Sequence, residues 1–165
     1  MADLKPGQIK NPDGIELLPL VARDTPYVGE FSVLGDAVQG WRGVNALVMV
    51  LNLTASDADE HDLLDVTVQT SFDNLTWIDI FHFAQMNGST AAAKRIKLLN
   101  AGDHIVAGGL AEFSAATRLT AGNKREVFGP LYRAAVKIDE VHGNHSFTFS
   151  VTLYPQLGDI AWGQE

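Results

Sequence analysis

The sequence predicts an all-β fold, a mostly antiparallel sandwich or jelly roll built from residues 15–165 and preceded by an extended arm of residues 1–14. Three observations carry this expectation. From Ile15 onward, short apolar runs recur between turn residues, which is the spacing of strands. Residues 146–153 alternate strictly: Phe147, Phe149, Val151 and Leu153 are interleaved with Ser146, Thr148, Ser150 and Thr152, so one face is core and the other wet. The 165 residues show no internal repeat and no interdomain linker, and a chain of this length buries roughly 70% of its unfolded surface around a single core.

The elements follow in order. Pro6, Gly7, Pro12 and Gly14 lie among polar residues and prevent a regular element in the arm. Strands are predicted at Ile15–Ala22, Tyr27–Leu34, Val44–Leu53, Leu64–Ser71, Thr76–Phe83, Lys94–Leu99, Leu131–Ile138 and Ser146–Tyr154. The third is apolar on both faces, Val44, Ala46, Val48 and Val50 against Leu47, Met49 and Leu51, the pattern of a central strand covered on both sides. "HGN" at residues 142–144 supplies hairpin-turn residues, so the last two strands are expected to pair as neighbours. Residues 85–130 are the least regular stretch: "TAAAKRIKLL" suits a short helix or a strand, and the small-residue run from Ala107 suits loop, short strand or a helical turn.

The stretch "VTVQTSFDNLTWIDIFHF", residues 66–83, carries large apolar side chains on both faces of its second strand. A turn of Asp73, Asn74 and Leu75 sets Val68 opposite Ile80 and Thr70 opposite Ile78, with Asp or Asn taking the left-handed position that such loops need. Leu64, Val66, Val68, Ile78 and Ile80 then form the core face. The other face pairs Ser71 with Trp77, Gln69 with Asp79, Thr67 with Phe81 and Asp65 with Phe83. Trp77, Phe81 and Phe83 become one aromatic patch, to be covered by this chain's own residues or by another copy or another protein.

Composition narrows the function. Hydrophobic residues at 46% and charged residues at 19% indicate a folded chain, and no apolar run approaches the ~20 residues of a membrane span. No apolar leader is recognisable at the start, so a secretory route is not expected. Without cysteine there is no disulfide, no thiolate metal site and no cysteine nucleophile. The net charge of −8 is uneven, with 4 basic and 13 acidic groups in residues 1–90 against 8 and 7 in the remainder. The first half would repel a phosphate backbone, so nucleic acid is rejected as the main partner.

Chemistry-bearing patterns are sparse. "SDADEHD", residues 56–62, offers carboxylates at alternating spacing, but the glycine and distal glutamate of a calcium loop are missing, so a solvated acidic loop is expected. His142 and His145 beside Asp139 and Glu140 lack a third ligand and suit a hairpin turn better than a metal. His82 is expected on the core face as a hydrogen-bonded structural histidine. No nucleophile elbow or phosphate loop occurs. The sequence therefore points to no enzyme, no cofactor and no metal. The four N-x-S/T triplets, at Asn52, Asn74, Asn87 and Asn144, are read as turn and strand-end residues.

Residues 63–99, "LLDVTVQTSFDNLTWIDIFHFAQMNGSTAAAKRIKLL", resemble a group of small β-rich structural proteins of tailed bacteriophages, through an aspartate-led strand ending in "QTS", a turn with Asp, then "W-x-D-I-x-x-F" and a later basic strand "AKRIKLL". "FTFSV" near the end is similar as well. The turn departs from the pattern, with Asp73-Asn74 where Asp-Gly or a glycine pair is usual, and residues 100–130 match nothing in it. The resemblance implies a virion component made in the host cytoplasm, with a capsid decoration (cement) protein on the outer capsid surface as the leading role. The major capsid protein and other copies of the chain are the implied partners, a homotrimer being a state such proteins often take. A tail, neck or baseplate component is the alternative. A weaker similarity of "TSFDNLTWIDI" to discoidin-like carbohydrate-binding sandwiches implies a glycan-binding module.

Overall fold

The computed structural model describes residues 14–24, 30–41, 44–90, 92–100, 128–139 and 146–157. Residues 1–13 of the arm, residues 101–127 and the "HGN" turn lie outside the described residues. The described chain is all-β, with no helix and two antiparallel sheets. The strands are β1 (Ile15–Arg23), β2 (Val33–Leu34), β3 (Val38–Gln39), β4 (Val44–Ser56), β5 (Leu63–Ser71), β6 (Ile78–His82), β7 (Met86–Asn87), β8 (Ala93–Asn100), β9 (Leu131–Asp139) and β10 (Phe147–Leu157). Of the predicted strand Tyr27–Leu34 only the two residues of β2 are strand, and residues 25–29 lie outside the described residues. "TAAAKRIKLL" is strand over residues 93–99, not helix.

The first sheet runs β1-β10-β4-β8. In the second, β2, β9, β5 and β6 lie side by side, β3 continues along β9, and β7 along β5. Leu47, Met49, Leu51 and Leu53 of β4, with Phe147, Phe149, Val151 and Leu153 of β10, meet Leu64, Val66 and Val68 of β5 and Tyr132, Ala134, Val136 and Ile138 of β9 in one buried cluster. This is a β sandwich, in which the period-2 alternation of each strand puts one apolar row inward. The strict alternation of β10 is realised as expected, all four of its apolar residues being fully buried.

Two expectations are corrected. β9 and β10 do not form a hairpin: β9 pairs β5 over its whole length, Leu131 to Asp139 against Ser71 to Leu63, while β10 lies between β1 and β4 in the other sheet. The chain crosses from one layer to the other between them. β4 is central, and its Leu47–Leu53 face is fully covered; on the other face Ala46 is buried, but Val48 and Val50 are only half-buried. The Val48–Val50 part of its second apolar row is therefore sheet surface.

β1 ends the first sheet with an irregular edge. Register shifts bracket Leu18, and Pro19, which has no amide hydrogen to donate, follows it. Arg23 fastens this edge: Nη1 donates to the carbonyl oxygens of Phe149 (2.8 Å) and Val21 (3.1 Å), and Nη2 to that of Pro19 (2.8 Å). Its guanidinium lies 4.6 Å from the centroid of the Phe149 ring. Burial pulls the Arg23 pKa down, with Glu16 acting the other way.

Candidate functional site

The turn after β5 is organised by side chains. Asp73 Oδ1 accepts the amides of Leu75 (2.8 Å) and Thr76 (2.7 Å) and the hydroxyl of Ser71 (3.1 Å), while Ser71 Oγ accepts the Asn74 amide (3.0 Å). Asn74 takes the left-handed conformation at φ 60°, the role expected of Asp or Asn here. The two backbone donors hold the Asp73 carboxyl down at about 2, with desolvation opposing and Ser71 assisting.

The expected register holds next to the turn and then fails. Thr70 faces Ile78 and Gln69 faces Asp79, but a β-bulge follows, after which Val68 faces Phe81 and Thr67 faces His82. One extra residue on β6 reverses the facing of everything beyond it. Phe81 and Phe83 therefore turn into the core beside Ile80, their rings meeting edge to face at 4.8 Å. His82 turns out of the core. The aromatic patch of Trp77, Phe81 and Phe83 is not formed: two of its members are core, and all three are buried within this chain. The signal that could have revealed the bulge is Ile80-Phe81, two large apolar neighbours in a strand that otherwise alternates.

Trp77 is left on the outer face of the second sheet with a row of polar groups. Arg133, Gln69 and Asp79 lie abreast on β9, β5 and β6. Arg133 Nε donates to Gln69 Oε1 (2.8 Å), and Gln69 Nε2 donates to Asp79 Oδ1 (2.7 Å). The Arg133 guanidinium is stacked 4.1 Å from the Trp77 ring centroid. Gln69 is 0% exposed, Asp79 2% and Trp77 7%, so this row is a closed, satisfied network. Farther along the same face, Asp65 accepts from Gln85 Nε2 (2.9 Å) and meets His82 Nε2 at 3.2 Å. Desolvation alone would raise the Asp65 pKa; hydrogen bonds from His82 and Gln85, with the charges of His82 and Lys137, outweigh it and hold the carboxyl below its ordinary range. His82 is thus hydrogen-bonded, as expected, but on the opposite face from the expected one.

The acidic loop is a connector, and it is less solvated than expected. Asp57 Oδ1 accepts both the amide and the hydroxyl of Ser146, tying the loop to the start of β10. Asp62 is fully buried; its Oδ2 accepts the Asp59 amide (3.0 Å) and its carbonyl accepts the Gly88 amide (2.9 Å). A Cβ at Gly88 would lie 2.0 Å from the Asp59 carbonyl oxygen, so the two loops meet backbone to backbone. Among the described residues no group of three or more His, Asp or Glu is placed to hold a metal ion. His142, His145 and His104 lie outside the described residues. No helix among the described residues is long and apolar enough to cross a membrane.

Among the described residues, exposed apolar side chains occur at the turn after β5, where Phe72 and Leu75 are exposed, and on the outer face of the first sheet. Ile96 and Leu98 of β8 are 58% and 47% exposed. Register places Leu98 beside Val48 and Val48 beside Tyr154, and Ile96 beside Val50 and Val50 beside Thr152. The result is an apolar strip across three strands, with Tyr154 also exposed. Sequence reasoning passed over this strip because it assigned β4 cover on both sides. The chain matches no family model, no curated protein and no solved structure.

Proposed function

We propose that this chain is a structural protein of a tailed-phage virion, a capsid decoration protein that lies on the outer capsid surface and stabilises the shell. The observation that carries this reading is the motif of residues 63–99, whose parts have architectural tasks: Ser71 and Asp73 fasten the turn, Gln69, Asp79 and Trp77 lock the outer face with Arg133, and the basic run is β8. The apolar strip supports the same reading, since a small sandwich that exposes an apolar strip on one sheet face among its described residues suits a clamp lying across capsid subunits. Each bound copy adds its own buried surface, and linkage turns that binding into stability of the assembled shell. The acidic charge suits the outside of a particle better than its DNA-facing side.

Band intensities on a gel of purified virions test the role. A decoration protein approaches the abundance of the major capsid protein, and purified chain added to expanded capsids sediments with them and raises their resistance to heat. Low copy number would move the chain to the tail, neck or baseplate, and absence from the particle would overturn the virion reading. The burial of Trp77 under Arg133, which leaves little ring surface for a sugar, favours the virion reading over the glycan-binding one.

A further inference from the structure

We infer that the outer edge of β8, which has no further strand beside it among the described residues, is a strand-addition site for an extended segment of another protein in which apolar and acidic residues alternate. This goes beyond the virion reading and does not depend on it. β8 closes the first sheet: it pairs β4 over all eight residues without a register shift, and among the described residues β4 is its one strand neighbour. A regular outer strand presents a row of backbone donors and acceptors on its far side, a template for a further strand. The opposite edge of the sheet is blunted by Pro19 and the irregularities of β1.

The side chains of β8 specify the partner. Lys94, Ile96 and Leu98 stand on the outer face with Val50 and Val48, while Arg95 and Lys97 stand on the other side in register with Leu51 and Met49. Lys94 and Lys97 are exposed and Arg95 partly so, its Nη1 3.3 Å from the Ala84 carbonyl oxygen. The strand holds three cations and no acid, in a chain of net charge −8. An added strand has period 2, so its outward residues meet Ile96 and Leu98 and its inward residues meet Arg95 and Lys97. Apolar residues at the first set and carboxylates at the second satisfy both rows. A second β8 fits poorly: antiparallel pairing either sets Arg95 against Lys97 or Lys97 against itself, or mixes cations among Ile96 and Leu98, in the registers that overlap the strands most. Basic residues on an edge guard against self-pairing, but they do not account for the apolar row beside them, which a guarded edge has no reason to expose.

The test uses the full-length chain with two synthetic peptides long enough to span β8, one alternating valine and glutamate, the other valine and lysine. The valine–glutamate peptide should bind saturably, with amide chemical-shift changes and added hydrogen-exchange protection at Ala93–Asn100. It should bind at least about tenfold more tightly than the valine–lysine peptide, as two cross-strand charge pairs of changed sign require. Methylating alternate peptide nitrogens should remove the binding. In the Arg95→Glu/Lys97→Glu variant the preference should invert; the wild-type comparison stands even if that variant fails to fold. Equal affinity for the two peptides, shifts mapping away from β8, or β8 already protected by self-association in the free protein would each overturn the inference.

Discussion

Asp73 shows how one side chain can replace a glycine-built turn. The usual solution is Asp-Gly, in which glycine takes the left-handed position; here Asn74 takes it, and Asp73 fastens the two amides that follow. Because the folded-state pKa is about 2, below the ordinary value near 4, the ionised form stabilises the fold above pH ~4, and that contribution is lost as pH falls from about 4 to about 2. Asp73→Asn keeps an acceptor oxygen and removes the charge. Its melting temperature should fall below that of wild type at neutral pH, and the gap should close between pH ~4 and ~2. Equal gaps at pH 7 and pH 2 in paired thermal melts would show that the charge contributes nothing.

At the scale of elements, the hairpin β5–β6 joins a closed polar row to a repacked core. Arg133 and Trp77 should be energetically coupled across it. A double-mutant cycle of Trp77→Leu and Arg133→Gln, read by chemical denaturation, should give a coupling of about 0.5–2 kcal/mol; additivity within about 0.3 kcal/mol would reduce the stack to coincidence. Gln69 opposite Asp79 was legible in the sequence, because it follows from turn length alone; Arg133 was not, because its strand was expected to pair with β10 rather than β5. The bulge beyond them was not, since whether β6 keeps its phase depends on Phe81 and Phe83 gaining more by entering the core than the ladder loses by breaking. The separation of β9 from β10 was illegible for a related reason. Both strands alternate cleanly, and a turn such as "HGN" suits a hairpin within one sheet or a crossing between two. Only the nine-residue ladder between β5 and β9, distant in sequence, decides it. The apolar strip was hidden by a third ambiguity: a strand apolar on both faces reads as doubly buried whether its second face meets this chain or a partner.

For the whole molecule that ambiguity matters most, because it separates residues that make the sandwich from residues that make it useful. Leu51 and Ile96 lie on neighbouring strands and are both aliphatic, yet Leu51 is fully buried between the sheets and Ile96 stands in the exposed strip. Leu51→Ala should cost about 2–5 kcal/mol through lost burial and the cavity left behind. Ile96→Ser with Leu98→Ser should change stability by only about 0.5 kcal/mol per site, since neither leaves a cavity nor a buried polar group unpaired. If the strip is the surface that a capsid covers, the double serine variant should stay folded by circular dichroism and denaturation while its co-sedimentation with expanded capsids is lost. A folded double variant that still binds capsids as wild type does would move the docking surface elsewhere on the sandwich. A double variant that unfolds would show that the strip belongs to the fold, with residues of this chain itself as its cover.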